Sequence, residues 1–181
     1  MITTAMAASI AADRERVWRA LTDTSEIVRW DASRTGAVDT PERYPEAGRR
    51  MRWRYRLGSV SVVLKETPRL IEAPHRLAAS CTAGSLRFEQ TWVLHEEPEE
   101  RAQAARTRVS LKVAAGNRVQ LIGAEIDRFE VRRMLIGRVD ATLRELQKWC
   151  ENVPPDARRS VRSEAATPSG AHRTSPPGAG N

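Results

Sequence analysis

Alternation opens the chain. Ile2, Thr4, Met6, Ala8 and Ile10 fall on one side of an extended segment, and a period of two reads as a half-buried strand over residues 2–10. The period then lengthens. Asp13 precedes Val17, Trp18 and Leu21, which share one side of a helix through residue 21 that Asp13 can cap. A second short helix is predicted over residues 24–30, with Thr24 or Ser25 as its N-cap and Glu26 and Ile27 inside it. Residues 31–48 hold Pro41, Pro45 and two glycines and read as a loop.

From residue 50 the alternation returns. In RRMRWRYRL, residues 49–57, Arg50, Arg52, Arg54 and Arg56 fall on one face of a strand. Met51, Trp53, Tyr55 and Leu57 fall on the other. Gly58-Ser59 turns the chain into residues 60–66. Thr67-Pro68 interrupts, with 69–72 as a candidate continuation. Pro74-His75 leads into 76–82, Ala83-Gly84 into 85–96, and a polar, acidic loop over 97–106 leads into a last strand, 107–115. Connections this short make the sheet antiparallel. A long helix is predicted over residues 123–152, with Ile126, Phe129, Leu135, Ile136, Val139, Leu143, Leu146 and Trp149 on one broad stripe. At 1.5 Å per residue it would be roughly 40 Å long, and Pro154-Pro155 stops it.

One sheet must bury its apolar face and one helix its stripe. The economical arrangement is an α+β fold in which a strongly curved antiparallel sheet of six to seven strands grips the C-terminal helix, with two short helices after the first strand. Residues 1–153 would form this single domain. Residues 154–181 are different material: they hold five of the ten prolines and no Leu, Ile, Met, Phe, Tyr or Trp. Such a segment cannot bury enough apolar surface to offset its ordering entropy, so it is predicted to be a disordered tail.

The net charge of +7 and pI near 10.4 permit contact with polyanions without establishing it. Only three of the 30 cations are lysines; arginine in place of lysine accompanies a GC-rich genome, so the pI says little about function. Surfaces that read single-stranded nucleic acid present aromatic and cationic side chains together. In RRMRWRYRL the period of two sends them to opposite faces, which argues against a nucleic-acid or protein-binding module and leaves the arginines to keep an outer surface soluble and pair with carboxylates. Cys81 and Cys150 form no CxxC pair and imply neither zinc nor a disulfide framework. No run approaches the roughly 18 apolar residues of a membrane span. The N-terminus lacks the basic region of a secretory signal, so a cytoplasmic location is expected.

The order of these elements is similar to a known pattern. ASIAADRERVWRALTDTSEIVRW, residues 8–30, resembles the opening of the START-like helix-grip superfamily (SRPBCC), with Val17, Trp18, Leu21, Thr22, Asp23 and Trp30 at the matching positions. EAGRRMRWR, VLKETPRLIEAPHRL, TWVLHE, TRVSLKV and MLIGRVDATLRELQKWCE resemble its later strands and closing helix. The nearest branch is the polyketide cyclase/dehydrase and lipid-transport family, and the likeness runs over residues 2–151. It implies a cavity between sheet and helix for a hydrophobic or amphipathic small molecule, polyketide, lipid or isoprenoid-like.

If that cavity exists, its walls come from the inward strand faces and the helix stripe: Trp53, Tyr55, Val62, Leu64, Cys81, Phe88, Gln90, Trp92, Leu111, Phe129 and Ile136. The plainer alternative is that most of these fill a solid core. Tyr55, Glu66 and Gln90 are polar groups in apolar phase, and each needs a hydrogen-bond partner when buried. A ligand could supply it; so could a structural bond for Gln90 or an arginine for Glu66. Asn117 and Arg118, in the link from sheet to helix, are candidates for the cavity mouth. His75 and His95 have no acid or nucleophile nearby in the pattern, and no metal-ligand spacing, phosphate loop or nucleophile elbow is present. No cofactor or metal is therefore expected. Two functions stay open: a carrier or sensor for an apolar ligand, and a polyketide cyclase/dehydrase-type enzyme that orients a reactive chain, which needs few conventional catalytic groups.

Overall fold

A computed structural model describes residues 1–39, 43–98, 105–116, 119–121, 124–126 and 128–152. The predicted tail, Asn117 and Arg118 lie outside the described residues. The elements run β1 (Ile2–Ile10), α1 (Arg14–Thr22), α2 (Thr24–Trp30), β2 (Arg34–Ala37), β3 (Met51–Leu57), β4 (Val60–Glu72), β5 (Arg76–Ala83), β6 (Leu86–Glu97), β7 (Arg106–Ala115), β8 (Val119–Leu121), β9 (Ala124–Ile126) and α3 (Arg128–Asn152). Seven strands form one antiparallel sheet in the order β1-β7-β6-β5-β4-β3-β2. Because β1 and β2 are opposite edges, α1 and α2 carry the chain across the concave face.

Asp13 caps α1 as predicted, accepting from the Arg16 backbone N–H at 2.6 Å. The cap of α2 differs: Asp23, not Thr24 or Ser25, accepts from the backbone N–H groups of Ser25 (2.8 Å) and Glu26 (3.3 Å). A carboxylate one residue upstream reaches the orphan donors better than either hydroxyl.

Three further differences concern element boundaries. The loop predicted over 31–48 contains the edge strand β2, which pairs with β3 through a register shift between Arg34 and Gly36. Its inward side chain is an arginine and Gly36 has none, so no apolar alternation marks it. Thr67-Pro68 does not break β4, although the register with β5 shifts between Pro68 and Leu70. The Pro68 carbonyl accepts from Gly48 N–H at 2.8 Å, beyond the last β3 pair, Met51 with Glu66. The missing proline N–H faces that same side, where no ladder bond is lost. Finally, the predicted link and first turn of the long helix hold the hairpin β8–β9, with β9 falling on that first turn, and α3 begins at Arg128. Its 25 residues still span about 37 Å.

Alternation in the sheet has the expected phase. Met51, Trp53 and Tyr55 are buried while Arg52, Arg54 and Arg56 are exposed. Among the described residues only Arg52 of these three is ion-paired, to Asp39 at 2.6 Å.

The helix rests off-centre. α3 packs along β1 and β7 and against α1 and α2, burying Leu135, Val139, Leu143, Leu146 and Cys150, a spacing of three and four that keeps one face inward. Each of the leucines and the valine contributes about 1.5–3 kcal/mol. The core divides accordingly: one cluster lies between α3 and β1, β6 and β7, and a smaller one gathers Ile27, Met51, Trp53, Tyr55, Leu64, Ala79, Cys81 and Ala83 under α2.

Candidate functional site

At the seam between the two clusters lies a pocket of about 300 Å³. Its long wall is apolar: Leu64, Leu77, Leu86, Phe88, Trp92, Leu111 and Val113 from the sheet, with Val131, Met134, Leu135 and Val139 from α3. Its other end is charged. Asp31, Arg34, Tyr44, Tyr55, Glu66, Gln90 and Arg138 all reach it.

The charged end is built around Glu66, which is 1% exposed. One carboxylate oxygen accepts from Trp53 Nε1 at 2.8 Å and lies 3.0 Å from Arg34 Nη1. The other accepts from Gln90 Nε2 at 2.6 Å. Strand register places these partners: Glu66 stands opposite Met51 on β3 and Cys81 on β5, one pleat from Trp53, with β5 between it and Gln90 on β6. Arg34 arrives from β2, its guanidinium 5.0 Å over the Trp53 ring and its Nε 3.1 Å from Asp31. Tyr44 meets the same tryptophan edge-on at 5.8 Å. Arg138 reaches in from α3, pairs with Asp31, and sits 5.9 Å over the Tyr55 ring. Asp31 thus joins the two arginines, and it is fixed by accepting from Ser33 N–H at 3.0 Å.

Charge states follow from these contacts. Burial works against the Arg34 guanidinium, but Glu66 and Asp31 outweigh it and hold the group more firmly protonated than usual. Burial likewise opposes Arg138, and Asp31, with smaller help from Tyr55 and Glu145, outweighs it. Burial, reinforced by the Glu66 charge, pushes Tyr44 and Cys81 well above their ordinary values, so both stay neutral.

Of the residues expected in the wall, Tyr55, Leu64, Phe88, Gln90, Trp92 and Leu111 border the pocket, as does Glu66. Trp53, Val62 and Cys81 do not. Trp53 is fully buried behind Arg34 and Tyr44 and supports the pocket through Glu66. Cys81 is buried in the smaller cluster and Val62 packs at its margin. Phe129 and Ile136 are a clearer departure, at 79% and 38% exposed. The helical stripe read from sequence is broader than the face α3 buries: Leu135 turns inward, and its neighbour Ile136 is rotated about 100° away. The residues that sequence reading missed are the charged Asp31, Arg34 and Arg138, and the neutral Tyr44. Only Arg138 left a signal, as a cation between Leu135 and Thr142 on the buried face of the helix.

A curved seven-stranded sheet around a C-terminal helix, with two short helices after the first strand, is the START-like helix-grip fold. The family model described as polyketide cyclase/dehydrase and lipid transport matches residues 1–151, and the chain belongs to that family. Solved structures share the fold at low identity. A START superfamily protein from Mycobacterium smegmatis is 12% identical with a TM-score of 0.65, covering 84% of this chain and 99% of its own. A Mesorhizobium loti protein is 16% identical with a TM-score of 0.62, over 84% and 99% of the two chains. One from Thermus thermophilus is 22% identical with a TM-score of 0.58, over 82% and 97%. No curated protein is detectably similar to the chain. Among the described residues no helix is long and apolar enough to cross a membrane.

Proposed function

We propose that this protein binds a small hydrophobic or amphipathic molecule between its sheet and α3, acting in the cytoplasm as a carrier or sensor. The observation that carries this reading is the pocket's polarity: a long apolar wall ending in a buried, mutually paired charge cluster. An apolar body would lie along Leu64, Phe88, Trp92 and Leu111, with a polar end toward Tyr55, Gln90 and Glu66. A pocket of about 300 Å³ is at the small end of ligand sites, which suits a compact ring system or a short chain.

The family also suggests a cyclase or dehydrase. Acid–base chemistry of that kind needs a group free to take a proton, and the best-placed carboxylate, Glu66, already receives three donors. Ligand binding without turnover is therefore the better supported reading. Native mass spectrometry and tryptophan-fluorescence titration against a panel of aromatic and aliphatic compounds test it. Saturable binding that quenches emission, and that Leu111→Trp abolishes by filling the wall, is expected. A panel that binds by neither method refutes the proposal.

A further inference from the structure

We infer that the pocket selects an electrically neutral ligand, one whose polar end is a hydroxyl, phenol or carbonyl, over a carboxylate of the same size. This rests on the reading that the pocket binds a ligand at all, and it adds the ligand's charge class. The polar end contains two guanidinium groups, Arg34 and Arg138, and two carboxylates, Asp31 and Glu66. Each cation is paired to an acid: Arg34 to Glu66 at 3.0 Å and to Asp31 at 3.1 Å, and Arg138 to Asp31. A third carboxylate, Glu145, lies 3.7 Å from Arg138 on its more exposed side. Arg56 also borders the pocket, but its side chain lies on the exposed face of β3, where water and salt screen it.

No buried positive charge is therefore left over. An incoming carboxylate could pair only by taking a guanidinium from Asp31 or Glu66, which are 4% and 1% exposed. That strands a buried acid, a costly outcome. If it displaced neither, it would itself be a buried unpaired charge. A neutral hydroxyl or carbonyl escapes both penalties, because it adds a hydrogen bond without changing the charge balance.

The test uses pairs matched in size: 2-naphthol against 2-naphthoate, and 1-decanol against decanoate, by calorimetry at about pH 7, where the acids are ionised. The neutral member of each pair is expected to bind at least about tenfold more tightly, a difference of about 1.4 kcal/mol. Asp31→Asn removes the carboxylate that both guanidinium groups share and leaves Arg138 only the more distant Glu145, so it is expected to narrow or reverse the preference; its melting curve reports whether it folds. Glu145→Gln, at the solvent side of the same cluster, should move the ratio in the same direction by less. Carboxylates binding as tightly as their neutral partners overturn the inference and leave ligand binding standing. Folded variants with an unchanged ratio also overturn it. Binding of neither member of either pair refutes the ligand-binding reading and the inference with it.

Discussion

Glu66 is the residue on which the site can be tested by stability alone. Replacement by leucine keeps a side chain of similar length and removes both oxygens. Trp53 N–H and the Gln90 amide are then buried without an acceptor, at about 1–3 kcal/mol each. Arg34 loses the nearer of its two carboxylates, and removing one member of a buried pair costs about 3–5 kcal/mol. These penalties describe the same carboxylate and overlap, so the expected total is about 4–6 kcal/mol. Glu66→Gln should cost less. Its oxygen can serve Trp53 and Arg34, and its amide can face Gln90 once that amide flips, so what is lost is the charge assistance, about 2–3 kcal/mol. For a chain of this size that lowers the melting temperature by roughly 4–12 °C. Urea unfolding followed by tryptophan fluorescence measures both variants. Arg34→Met/Glu66→Leu should be at least about 1 kcal/mol more stable than Glu66→Leu alone, because it removes the stranded cation. Two single variants within about 0.5 kcal/mol of the parent would refute the description of Glu66 as the hub of the cluster.

Two further predictions address the scaffold. Asp23→Ala removes the cap of α2 and should cost about 1 kcal/mol near pH 7. Burial raises the Asp23 pKa, but bonds from Ser25 and Glu26 and the nearby Arg19 outweigh it, so the folded value lies below the usual 3.8. A carboxylate depressed on folding contributes stability above its unfolded pKa and loses it as the pH falls through the folded value. The gap between parent and variant should therefore shrink toward pH 3, and urea titrations showing a constant gap would contradict this. Burial raises both thiols, Cys150 to about 12 and Cys81 well above its ordinary value. Neither should react with a disulfide reagent at about pH 8 until urea unfolds the chain, and stoichiometric labelling of the native protein would be the contrary result.

The large strands were legible because each buries one face, so a one-residue slip would turn its apolar set to water. This is why β1 and β3 to β7 could be drawn from period two. The same logic fails where the inward residue is polar or absent, as at Arg34 and Gly36 in β2, and where three-residue strands are too short to show a period, as in β8 and β9. Pocket residues were only partly legible for a different reason. Alternation says which side chains point inward but not whether they meet another side chain or a void. Leu64 and Trp92 meet the void, whereas Cys81, with the same phase, meets the smaller core cluster. That distinction depends on α3 resting toward β1 and β7, a packing outcome that no single segment encodes.

The charged end of the pocket has an energetic implication of its own. Well-packed apolar residues in place of a buried ion cluster are often neutral or stabilising, so Asp31, Arg34, Glu66 and Arg138 are not required to explain why the chain folds. The apolar alternative would close the seam between the two core clusters with an oily plug. What the ions add is a polar boundary inside the molecule, held rigid because each member is fixed by another: Glu66 by Trp53 and Gln90, Asp31 by Ser33, Arg34 by both acids. A boundary of this kind supplies little affinity, since its charges are already paired. It acts by penalising ligands whose polar end does not match it, which is the less costly way to obtain selectivity from a pocket whose attraction is mostly apolar area. The apolar wall then decides how tightly a molecule is held, and the paired charges decide which way round it lies and what charge it carries.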